Sequence, residues 1–131
     1  MIHIKLTSIM VDDQAKALAF YTDVLGFEIQ QDFPAGEYRW ITVAAKGRDD
    51  LMLSLEPNAN PAGATFQRAL FDQGIPATAF MTDDLDAEHA RLTAKGVVFT
   101  RPPTVAGPVK IAQLADTCGN LIQLVQVLPA G

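Results

Sequence analysis

Leu6-Thr7-Ser8-Ile9-Met10-Val11-Asp12-Asp13, near the start of the chain, lies over Ala77-Thr78-Ala79-Phe80-Met81-Thr82-Asp83-Asp84 in its second half. Each stretch is a strand-like run closed by two aspartates, and one of each pair can cap a helix by accepting backbone N–H bonds. Helical periodicity follows in both places. Residues 14–25 put Ala17, Leu18, Tyr21, Val24 and Leu25 on one stripe, and residues 85–95 put Leu85, His89 and Leu92 in line. A glycine ends each helix, and Leu25-Gly26-Phe27 echoes Lys95-Gly96-Val97.

Strands are expected at 4–11, 27–32, 38–44 and 51–56, and again at 77–82, 97–100, 109–115 and 121–127. Pro34-Ala35-Gly36 and Pro102-Pro103 read as turns. Between the two sets, the loop 57–63 leads into a short helix over 64–73, with Phe66 and Leu70 one helical turn apart. The chain therefore reads as one domain. Module one covers about residues 1–57, a linker with a short helix covers 58–76, and module two covers about 77–131. Each module has one sheet face covered by its helix, which leaves the other face for another purpose. The reading is an α+β fold of two tandem βαβββ modules, forming a cupped mixed sheet around a central cavity.

Composition supports a single folded domain. The chain has 131 residues, 49% hydrophobic and 19% charged, which is ordinary for a globular protein. Ten basic against fifteen acidic residues give a net charge of −5, which argues against nucleic acid or an anionic membrane as partner. No stretch approaches the ~18 apolar residues of a membrane span, and the N-terminus lacks a signal-peptide pattern, so a cytoplasmic location is expected. Cys118 is the single cysteine, which excludes an intramolecular disulfide and a cysteine-based zinc cluster. With no cation beside it in sequence, it reads as a turn residue rather than a reactive thiol. No Ser-His-Asp order, P-loop or dinucleotide-binding glycine motif is present.

The run Val11-Asp12-Asp13 to Ala19-Phe20-Tyr21-Thr22-Asp23-Val24-Leu25-Gly26-Phe27, and the closing Asp116-Thr117-Cys118-Gly119-Asn120-Leu121-Ile122-Gln123-Leu124, resemble the vicinal oxygen chelate superfamily. That group includes glyoxalase I, extradiol dioxygenases, and fosfomycin- and bleomycin-resistance proteins. The resemblance implies paired βαβββ modules, often completed as a homodimer. In its enzymes it also implies a divalent metal held by His or Gln on the first strand of each module and Glu on the last. Carried over, the first-strand positions are Leu6 and Ala77, which cannot bind metal. The last-strand positions are Ser54, with Glu56 two residues on, and Gln123. His3 has the opposite strand parity to Leu6, and His89 lies on the apolar stripe of its helix. No metal or other cofactor is therefore expected.

Met52, Ser54 and Glu56 share one strand face, while Leu51, Leu53 and Leu55 share the other and should pack on a helix. Arg39 and Trp40 fall on opposite faces, and the sequence leaves open which of them lines the cavity. Phe33, Phe66, Met52 and Met81 read as core, with cavity lining as the alternative. The expected ligand-binding residues are Glu56, Gln123, Ser54, Arg39 and Trp40. Two functions follow. One is a bleomycin-resistance-like homodimer that binds a small organic molecule without metal. The alternative is a metal-dependent lyase or dioxygenase with a non-standard site.

Overall fold

The computed structural model describes residues 1–130 and divides into two compact units, one covering Met1–Phe66 and one beginning at Gln67. In the first unit, strands β1 (Leu6–Val11), β2 (Glu28–Ala35), β3 (Tyr38–Ala44) and β4 (Met52–Pro57) form a sheet in the order β1-β4-β3-β2. Helix α1 (Gln14–Ala19) connects β1 to β2. β1 runs parallel to β4, and the other pairs are antiparallel. The second unit repeats the plan with β5 (Thr78–Met81), α3 (Leu85–Ala94), β6 (Phe99–Ala106), β7 (Val109–Ala115) and β8 (Leu121–Val127), in the order β5-β8-β7-β6. Helix α2 (Pro61–Asp72) begins in the first unit and ends in the second. The two four-stranded mixed sheets with their helices are the tandem βαβββ, α+β arrangement that the repeat implies.

The duplicated aspartates act as read. Asp13 Oδ1 accepts from Lys16 N at 3.0 Å, and Asp84 Oδ1 accepts from Ala87 N at 3.1 Å. Each satisfies an N–H that the first helical turn leaves without a partner. The α-helix of module one is shorter than its periodicity suggests. After Ala19 it widens over Phe20–Val24, where Leu25 N donates to Phe20 O. The extra residue in the turn brings the consecutive aromatics Phe20 and Tyr21 both into the core.

In each unit one sheet face is the core. Ile9, Val11, Ile41, Val43, Leu53 and Leu55 are buried with Ala17, Phe20 and Tyr21 of the α1 segment. Ala112, Leu114, Ile122 and Leu124 are buried with Leu85 and Leu92 of α3. Leu53 and Leu55 thus take the helix-facing role expected of them, whereas Leu51 precedes β4 and is exposed.

The turn expected at Pro34-Ala35-Gly36 begins only at Gly36, and the one expected at Pro102-Pro103 is strand instead. β2 continues through Pro34 and β6 through Pro102-Pro103. Both strands lie at sheet edges, where a residue without an N–H costs no ladder bond. The true turns are the two-residue connections at Gly36 and Gly107, whose φ of 63° and 62° suit glycine. α2 starts at Pro61, earlier than expected. Proline suits a first helical position, and Asn60 Oδ1 accepts from Ala62 N at 2.9 Å. Among the described residues, no helix is long and apolar enough to cross a membrane.

Candidate functional site: the sheet faces away from the helices

Side chains directly opposite each other on paired strands share a face, so register defines what each module presents on the side away from its helix. In module one, Gln31, Thr42, Ser54 and Ser8 form one row across the sheet, from β2 through β3 and β4 to β1. Phe33 pairs with Trp40, and Met10 pairs with Glu56, further along the same face. The face is therefore a polar row bordered by aromatic rings.

This row is hydrogen-bonded. Trp40 Nε1 donates to Gln31 Oε1 at 2.8 Å, and Thr42 Oγ1 donates to the same oxygen at 3.2 Å, with Met52 Sδ 3.6 Å away. An indole N–H can only donate, which fixes the amide orientation and turns Gln31 Nε2 outward as a donor. Ser54 Oγ donates to Glu56 Oε1 at 2.8 Å. Thr42 and Ser54 are buried, at 0% and 1% exposure, while Trp40 and Glu56 are half-buried. The arrangement combines a flat aromatic surface, an outward amide donor and a carboxylate acceptor, which suits recognition of an organic molecule by stacking and hydrogen bonds.

The structure settles which of Arg39 and Trp40 belongs to this face. Trp40 does, with Gln31 and Thr42. Arg39 lies on the helix side, where its guanidinium pairs with Asp32 at 2.7 and 3.2 Å. The hydrogen bond to Asp32 is the main cause that raises the Arg39 pKa above its ordinary value. Its backbone is also held, since Arg39 N donates to Gln14 Oε1 while Gln14 Nε2 donates to the carbonyls of Arg39 and Leu55. Arg39, expected among the binding residues, is thus separated by the pleat from Trp40, Ser54 and Glu56. The reason is alternation: Arg39 has the parity of Ile41 and Val43, which are core.

In module two the corresponding row is Arg101, Gln113, Gln123 and Ala79, across β6, β7, β8 and β5. Gln123 is half-buried on the face away from α3. Gln113 is engaged on both sides of its amide: Oε1 accepts from Thr100 Oγ1 at 2.8 Å, and Nε2 donates to Gly74 O at 3.2 Å. His89 lies on the other face, with its ring edge-to-face against Phe99 at 4.6 Å.

The closing motif is a braced turn rather than a chemical centre. Asp116, fully buried, accepts from Cys118 N (2.7 Å), Asn120 N (3.0 Å) and Asn120 Nδ2 (2.8 Å). Gln67 of α2, also buried, donates to Cys118 O at 3.2 Å and Asn120 Oδ1 at 3.1 Å. Cys118 is buried within this turn, as its reading as a turn residue implies.

The residues present do not fit the metal that the family resemblance brings with it. Leu6 and Ala77 offer no donor atom and Gln123 offers a neutral amide, which leaves Glu56 as the one charged donor of the set. His3 precedes β1 and is exposed. Among the described residues, no three His, Cys, Asp or Glu side chains come together as a possible metal site.

Register reasoning could have found Gln31 and Thr42 in the sequence. Counting back from the two-residue turn at Gly36 places Gln31 opposite Thr42. Arg101 could not be found this way, because β6 is irregular between Arg101 and Thr104.

Comparison with known proteins agrees with this architecture. The family model described as "Glyoxalase/Bleomycin resistance protein/Dioxygenase superfamily" matches residues 3–124. The uncharacterized protein YurT of Bacillus subtilis (strain 168) is 51% identical over 124 residues, covering 94% of this chain and 98% of that protein. The crystal structure of UcmS2 superposes with a TM-score of 0.83 at 29% identity, covering 95% of this chain and 98% of that one. TnmS3, an antibiotic binding protein from Streptomyces sp. CB03234, superposes with a TM-score of 0.78 at 33% identity, covering 97% of both chains.

Proposed function

Because the chain belongs to the glyoxalase/bleomycin resistance protein/dioxygenase superfamily, we propose that it is one of the superfamily's binding proteins, holding a small organic molecule without a metal. The observation that carries this reading is the helix-distal face of module one. There Trp40 is fixed by Gln31, and Glu56 by Ser54, in a surface built of rings, donors and an acceptor. The donor-poor positions Leu6 and Ala77 support the metal-free form. The description of TnmS3 as an antibiotic binding protein supports the ligand class, a sizeable organic molecule.

In this reading Trp40 stacks on the ligand, and Glu56 and Ser54 anchor a donor or cationic group; on the helix-distal face of module two, taken by itself, Gln123 offers an amide to a ligand. The protein works as a homodimer in the cytoplasm. Trp40 is the chain's single tryptophan, so its fluorescence reports on the face directly. Titration with a panel of planar aromatic natural-product scaffolds should give saturable quenching by some members, unchanged by EDTA. Quenching that requires an added divalent metal, or the absence of binding by the whole panel, would overturn the proposal.

A further inference from the structure

We propose that Arg101 is an anchor for an anionic group on the ligand of module two, such as a carboxylate or sulfonate. This inference rests on the binding function proposed above.

The first observation is a duplicated irregularity. In β2 the pairing with β3 shifts between Ile29 and Gln31, leaving Gln30 as an extra residue. In β6 the pairing with β7 shifts between Phe99 and Arg101, leaving Thr100 as an extra residue. Residues two apart on a regular strand share a face. Without the bulge, Arg101 would point with Phe99 toward α3. With it, Arg101 opposes Gln113 and joins the helix-distal row. A bulge re-aims the side chain that follows it. The same device turns Gln31 toward Trp40 and Thr42 in module one. Gln31 and Arg101 thus hold equivalent places in the two copies.

The second observation concerns charge. Arg39, Arg48, Arg68 and Arg91 each pair with a carboxylate. Arg101 alone among the arginines has no carboxylate within ion-pair distance among the described residues, although the chain carries an excess of acid, at −5. Its neighbour Gln113 already accepts from Thr100 and donates to Gly74 O, and as a neutral amide it supplies Arg101 no counter-charge. Neighbouring strands lie about 4.8 Å apart, so the backbones of Arg101 and Gln123 are separated by about 10 Å. Arg101 and Gln123 thus each supply N–H donors along one row of the helix-distal face. A planar fork of donors selects an oxyanion by bidentate hydrogen bonding.

Two dyes with one aromatic skeleton test this. 8-Anilinonaphthalene-1-sulfonate carries a sulfonate, and N-phenyl-1-naphthylamine does not. The natural protein should bind the sulfonate more tightly. Arg101→Met should weaken sulfonate binding about tenfold or more and leave the neutral dye unchanged. Arg101→Lys, which keeps charge but loses the fork, should fall between. Arg68→Met, which removes a positive charge from the exposed surface of α2, should alter neither. Equal binding of the two dyes by the natural protein, or equal weakening of both by Arg101→Met, would overturn the role of Arg101 while leaving the binding function standing. Failure of both dyes to bind would overturn the role of Arg101, while the binding function is decided separately by the Trp40 titration.

Discussion

Ser54 Oγ donates to Glu56 Oε1 at 2.8 Å, one pleat along β4, on the face of the sheet away from α1. The serine is buried and the carboxylate half-buried. Ser54 therefore holds one oxygen of Glu56 still and leaves the other to meet a ligand.

Glu56→Gln keeps shape and hydrogen-bonding capacity but removes the charge. Binding of a ligand with a cationic or donor group should weaken by about 1.5–3 kcal/mol, the range for a hydrogen bond to a charged group. The melting temperature should barely move. Calorimetric titration with a compound selected by Trp40 quenching checks the first part, and a thermal melt the second. Unaltered binding with a clear drop in melting temperature would make Glu56 structural.

Gln67 and Gly119 should be energetically coupled. Gly119 has φ 99°, and a Cβ added there would lie 2.9 Å from Gln67 Nε2, which is held by two hydrogen bonds. Gly119→Ala should cost about 1–3 kcal/mol for its backbone conformation, plus the displacement of Gln67. Gln67→Ala should cost about 1–3 kcal/mol because it strips donors from buried acceptors. In the double variant the clash is gone, so urea denaturation should give a total loss smaller than the sum. Additive losses would mean that Gln67 moves aside freely.

The two aspartate caps should be interchangeable in effect. Asp13→Ala and Asp84→Ala each remove one capping bond at an exposed helix start. Each should lower stability by about 0.5–2 kcal/mol in denaturant titration. A cost confined to one of them would show that the repeat is not energetically equivalent.

Elemental analysis of the dialysed protein should find less than one zinc, iron or manganese per chain. A tightly held equivalent would require donors that Leu6, Ala77 and Gln123 do not supply, and would refute the metal-free reading.

Sedimentation at micromolar concentration should give twice the single-chain mass of 14.1 kDa. A mass near 14.1 kDa would exclude the homodimer.

The repeat of Leu6–Asp13 in Ala77–Asp84, with the helical periodicity and strand alternation around it, determined two βαβββ modules and their capped helices, and alternation gave Leu53 and Leu55 of β4 their helix-facing role. These are local matters: strand alternation, helical periodicity and capping act over a few residues, so they are written in consecutive positions. Alternation along residues 51–56 placed Ser54 and Glu56 away from the helix side of their strand, and the family resemblance singled out Gln123. The choice between Arg39 and Trp40 was different. Alternation says only that they face opposite ways, and the decision came when Ile41 and Val43 were buried against α1 and took Arg39's parity with them. Arg101 depended still more on tertiary structure. Pro102-Pro103 reads as a turn in sequence, and only the pairing of β6 with β7 shows a strand that continues past it and bulges at Thr100. A one-residue shift in pairing exchanges the two faces of a strand. That shift is set by the neighbouring strand, and no run of residues in β6 alone contains it.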